Sequence, residues 1–233
     1  MSALFSRFAL GLGIGVWGLG TLVVAQAQTE NSQAQAALPK DIDRESYSRL
    51  PVLKRDDMKT EDDRRIYDEL AGGPGKAVGA TGPAAISLYS PKAAEAIQML
   101  NQYLRFHGLL KPRDYEVAVL VTAREFEQQY EWSGHEMGAR HAGVPEALIE
   151  AIKYKKPING FSDRDTLIAG FAYASLRGHK IDSALYARTV AMFGKQGTLE
   201  LATIIGDYAM AAVMLNAEDQ RVPPNRQQLL PGK

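Results

Sequence analysis

The chain has 233 residues, 45% of them hydrophobic, which is enough for one good-sized core. Its 27 basic and 27 acidic residues balance, so charge gives no reason to expect a nucleic acid or an anionic surface as partner. There is no cysteine, which excludes disulfides, thiolate nucleophiles and cysteine-based metal sites.

The first elements read as targeting. Arg7 supplies a positive start, Phe8 to Ala25 is an uncharged run, and Ala25-Gln26-Ala27 puts small residues where a signal peptidase reads. Residues 1–27 are therefore expected to be a signal peptide cleaved before Gln28. That reading sends the protein to the periplasm or outside the cell, with no membrane attachment after cleavage. The competing reading is a retained anchor, but 18 residues with five glycines fall short of the ~20 apolar residues that a spanning helix wants. Residues 28–45 have little apolar content and read as a disordered lead-in.

From 46 to 217 the punctuation is helical. Thr60 before Glu61, Asp62 and Asp63 is an N-cap with an acidic first turn, opening a helix to about Leu70. The stretch AGGPGKAVGATGP (71–83) is loop. Its Gly-Lys pair is followed by Ala77 where a phosphate-binding loop needs Ser or Thr, so it reads as a connection or lid. Ser90-Pro91 opens the next helix, with Ala94, Ile97, Leu100 and Leu104 at helical spacing. Pro112 opens another, apolar nearly all round through Tyr115, Val117 to Val121, Ala123 and Phe126, the pattern of a central buried helix.

QYEWSGHEMGARHAGV (129–144) follows and ends on Gly143 as a C′ residue, with Pro145 starting a helix to about Tyr154. Ser162, Asp182 and Thr198 cap the last three, the first two running to Gly178 and Gly194. No stretch alternates with period two, so no sheet is expected. The fold class is all-α, with about seven or eight helices, and residues 218–233 form a Pro-rich arm outside the core.

Chemistry concentrates in 128–141. On a helix, Gln128, Glu131 and His135 fall at steps of three and four and share a face. A carboxylate one turn before an imidazole can hold one tautomer, as a general acid/base needs. Tyr130 and Trp132 flank that face and would keep water off it, while Arg124 and Arg140 are near enough to hold a substrate carboxylate. Each has a structural alternative: His135 as a core histidine bonded to Glu131 or Glu116, Glu116 paired with Arg113 or Arg124, the aromatics as packing, and Arg124 and Arg140 in surface or interface ion pairs, the reading favoured for these two. HEMGARH begins like a zincin helix, but Ala139 stands where the second ligand belongs and His141 lies about 120° round from His135, so no metal site is read here.

The run from Arg113 to Ile152 resembles the carboxymuconolactone decarboxylase family. The resemblance rests on an Arg-x-x-Glu helix, a Tyr-Glu-Trp-x-x-His segment and an Ala-Gly-Val turn before a helix. Weaker likenesses in RLPVLKRDDM, SPKAAEAIQML and GTLELATIIGDYAM extend it over most of 49–217. It implies an all-helical fold assembling as a trimer or hexamer, and a cofactor-free carboxy-lyase acting by acid/base chemistry on a lactone acid or related unsaturated carbonyl. His135 would be the acid/base, Glu131 and Glu116 would orient it or share its proton, and Gln128, Tyr130, Trp132 and Arg124 would line the substrate site. In the sister branch that resembles alkyl hydroperoxidase D, two cysteines fall on Gln128 and Glu131, a histidine on His135 and a glutamate on Glu116. Without the sulfurs, thiol peroxidase chemistry is excluded. The alternative is an oligomeric small-molecule-binding protein that keeps the pocket without the reaction.

Overall fold

A side-chain cap or a proline stands at each helix start of this structure, a computed structural model that describes residues 38–71 and 79–231. Residues 1–27, most of the lead-in and the middle of the 71–83 loop lie outside that range. Thr60 accepts from the Asp63 amide while Asp63 returns a bond to the Thr60 amide, and this capping box opens α1 (Glu61–Leu70). α2 (Pro83–Ser87) is a short helix that begins on the last residue of the expected 71–83 loop; Pro83 at its first position pre-sets the backbone. α3 (Pro91–Phe106), α4 (Pro112–Glu125), α5 (Gln129–His141) and α6 (Glu146–Lys153) follow. α7 (Asp163–Tyr173) runs into one π turn, Ala174–Gly178, before α8 (Ser183–Ala217). The described residues thus form eight α-helices and no strand.

α4 is the central rod. Val117 to Val121 are fully buried, and it packs chiefly on α5, α7 and α8. Gly143, at φ 82°, lets the chain turn out of α5 so that the Val144 amide reaches the Ala139 carbonyl and Val144 enters the core. The two final helices expected from the caps follow each other without a linker in α8 and are divided by a kink at Gly194, whose φ of 71° and ψ of 174° are not helical. Thr198 does not cap a new start; its hydroxyl donates to the Gly194 carbonyl from inside the helix. α8 is long and apolar enough to cross a membrane, yet its apolar window is 56% buried, with Leu201, Ile204 and Leu215 in the core.

Both ends of the domain differ from expectation. Ile42, placed in the disordered lead-in, is buried. The segment after α8 was expected to be an arm off the core, but it folds back: Val222 and Leu230 are buried, and Leu230 joins the main core. Gln220 fixes its base by bonding the Ser46 carbonyl and accepting from the Gly82 amide.

Candidate active site

Glu116 of α4 and His135 of α5 meet because the two helices pack along much of their length. His135 Nδ1 lies 2.8 Å from Glu116 Oε2. Gly138, one turn on from the histidine, makes room for this pair, since a Cβ there would sit 3.1 Å from Glu116 Oε1. The other ring nitrogen, Nε2, is 3.3 Å from Arg105 Nη2 and 3.6 Å from Glu131 Oε2. A guanidinium can only donate, so Nε2 carries the lone pair and Nδ1–H donates to Glu116. The imidazole is thereby held in one tautomer, its basic nitrogen facing a cation and a carboxyl. Tyr208 packs edge-on against the ring at 4.9 Å.

His135 and Glu131 form part of the wall of a cavity of about 550 Å³ lined by α2, α3, α5, α8 and the segment after α8. Glu131 is 5% exposed, and its Oε1 has no hydrogen-bond partner among the described residues. Burial pushes its carboxyl up from the usual range, with the charges of His135, Arg226 and Arg105 opposing. Asp207, on the same wall, is pushed up by burial too, against one bond from Asn101 Nδ2 at 2.9 Å. Tyr208 OH accepts from Tyr115 OH at 2.9 Å and from Arg105 Nη2 at 3.0 Å. Its own proton is left for an acceptor in the cavity, and burial holds the phenol well above its usual pKa.

Of the expected lining residues, Tyr130 is at the cavity, its hydroxyl 2.8 Å from Thr81 Oγ1. Trp132, Gln128 and Arg124 are not. Residues two apart on a helix point about 200° apart, so with Tyr130 toward the cavity Trp132 goes into the core, where it is fully buried and its indole N–H donates to Glu136. Gln128 precedes the helix, with φ −86° and ψ 97°; it caps α5 by accepting from the Tyr130 amide and donates to Asn216. Arg124 is buried against the Lys153 carbonyl and Glu127, and Arg140 pairs with Glu136 and Glu146. Asn101, Arg105, Asp207 and Arg226 line the cavity without having been expected there. Only Asp207 left a signal, as a lone carboxylate inside the apolar run IIGDYAM. Among the described residues no three His, Asp or Glu side chains group as metal ligands.

No family model matches the sequence, and no curated protein does. Solved structures do match, two of the debrominase Bmp8 among them. Ligand-free debrominase Bmp8 superposes with a TM-score of 0.57 at 13% identity, covering 76% of this chain and 94% of that one. A cysteine-to-alanine variant of Bmp8 in complex with 2,3,4-tribromopyrrole gives 0.54 at 14%, covering 76% and 93%. The chain has the Bmp8 fold. At this identity the likeness is one of backbone architecture and does not extend to a reaction.

Proposed function

We propose that the cavity is the active site of an enzyme that needs no cofactor and moves a proton on a small unsaturated substrate by acid/base chemistry. The observation that carries this is the meeting, on one cavity wall, of an imidazole with a fixed tautomer and a buried carboxyl with an unused oxygen. Burial favours the neutral acid in Glu131, while Glu116 orients His135 as a base; two titratable groups in contrasting environments are what acid/base catalysis requires. That the similar fold of Bmp8 belongs to a debrominase with a small ring compound bound supports an enzymatic reading.

Following the resemblance to carboxymuconolactone decarboxylases, the reaction would be loss of CO2 from a lactone acid or related unsaturated carbonyl. The C–C bond to the carboxylate breaks, its electrons enter the conjugated carbonyl, and a proton is added to carbon. Arg105 and the spare Tyr208 hydroxyl would face the developing oxyanion. As Arg105 turns to the substrate it frees Nε2 of His135, which handles the proton together with Glu131. We further propose that the protein is exported and works as a homo-oligomer.

The second reading, a binding protein on the same cavity, draws on the bond from Arg105 that occupies Nε2. Substitution of the histidine separates the two. His135→Gln is expected to lower kcat/KM on a lactone acid by about 10² to 10⁴ with an unchanged melting temperature. Glu116→Gln and Glu131→Gln should cost less. Turnover that survives His135→Gln while the melting temperature falls would make His135 a structural hydrogen-bonder and leave the binding reading in place.

A further inference from the structure

Half-buried arginines in this protein have carboxylate partners: Arg113 has Asp165, Arg140 has Glu136 and Glu146, Arg164 has Asp114. The two that line the cavity do not. Among the described residues no carboxylate lies within ion-pairing distance of Arg105 or Arg226. Arg105 spends three of its N–H donors, on Tyr115, Tyr208 and His135. Arg226 has one side-chain bond, to the Tyr130 carbonyl, and its guanidinium stacks 4.3 Å over the Tyr130 ring. A guanidinium carries five N–H donors, so most of those on Arg226 are unspent.

Glu131 feels that charge, but its burial favours its neutral form. A partly desolvated cation without a counterion is costly unless something supplies the negative charge. The surrounding chain is also built to put the cation there. Gly134, next to His135, leaves the space that the guanidinium occupies: a Cβ there would stand 2.5 Å from Arg226 Nη2 and push the end of that side chain aside. The segment that brings Arg226 in is latched on both sides. Gln129 accepts from the Leu229 and Leu230 amides and donates to the Leu230 carbonyl, while Gln220 holds the start.

We propose that Arg226 is a substrate-binding residue that holds an acid group of the ligand, and that the segment after α8 exists in the fold to deliver it. The ligand class is then a small organic anion. This rests on the cavity being the ligand site and is independent of the reaction performed there.

The test uses 2-furoate and its neutral counterpart 2-furamide as probes of the full chain, with dissociation constants measured by calorimetry at neutral pH. The wild-type protein should bind furoate about 10- to 100-fold more tightly than the amide, the range of a charge-assisted bond. Arg226→Gln should erase that preference while leaving furamide unchanged. Arg226→Lys keeps the charge, so it should retain the preference within a few-fold. It serves as the reference if Gln loosens the segment and lowers the melting temperature. A folded wild-type protein without furoate preference, or an Arg226→Gln protein that keeps it, overturns the proposal. An Arg226-dependent preference in a protein whose His135→Gln variant turns over normally would remove the proposed reaction and leave the anion site standing.

Discussion

Glu131 and Glu136 are five residues apart on α5 and both nearly sealed, yet burial ends differently for them. Burial works against the charge of Glu136 as well, but bonds from Lys153, Trp132 and Arg140 hold its carboxyl below the usual range. Glu131 has no such set, and burial prevails. The first is the way a fold keeps a buried charge, the second the way it keeps a reactive acid. The difference appears in stability against pH. With its folded pKa raised, Glu131 stabilises the native state most below the ordinary carboxylate value, and that contribution is lost as pH rises through the raised value, because the unfolded chain releases the proton first. Glu131→Gln removes the titration, so the variant should gain on the wild type as pH goes from about 4 to 8. Thermal melts at three pH values check this; a gap that is flat or shrinks would mean that the carboxyl stays ionised. The pairing of Glu131 with His135 was legible because it is local, one helical turn. Arg105, Asp207 and Arg226 were not, since each comes from a distant element that only tertiary packing brings in. Gln128 misled because a face argument assumed a helix that starts one residue later.

Among elements, the starts and stops were readable wherever a side chain or a glycine makes them. Ser162 accepts from the Asp165 amide and Asp182 from those of Ala184 and Leu185, as their residue types imply. Gly194 was read as a terminator and does end one helical stretch; the next begins at once, because the apolar residues on both sides continue into one core. Its φ and ψ belong to a region open essentially to glycine alone. A Cβ at Gly194 meets no atom within 4 Å, so the cost of a side chain there is confined to the backbone. Gly194→Ala should therefore lower stability by about 1 to 3 kcal/mol, read from the denaturation midpoint in urea at unchanged slope. A loss below a few tenths would mean that α8 straightens freely and that the bend is not imposed by packing on α4 and α7. The segment after α8 escaped sequence reading for the converse reason. Its prolines and glutamines describe local preference, while its place is set by two apolar residues, Val222 and Leu230, that find the core.

For the whole molecule, the open question is what covers the outer side of α3 and α8. Met99 is 70% exposed, Phe106 72% and Leu199 67%, large apolar side chains that a monomer leaves in water. Tyr103, between the first two on α3, donates to Glu200 Oε1, so the turn of α8 that carries Leu199 lies beside that stretch of α3. Clustered apolar exposure of this kind marks an association surface more often than scattered single residues do. The balanced 27 and 27 charges add no net repulsion against it. Assembly of identical chains through this face is the expected outcome, with light scattering at tens of micromolar giving a multiple of the protomer mass, at most 25.5 kDa for the full chain. The double substitution Met99→Glu with Leu199→Glu, at two positions outside the candidate site, should shift the mass to one protomer. The charges would have to be buried unpaired in the interface, at several kcal/mol each, while in the monomer they stay in water. A wild-type protein that scatters as a single protomer would refute the association. A double variant that remains assembled would place the interface on another face of the molecule.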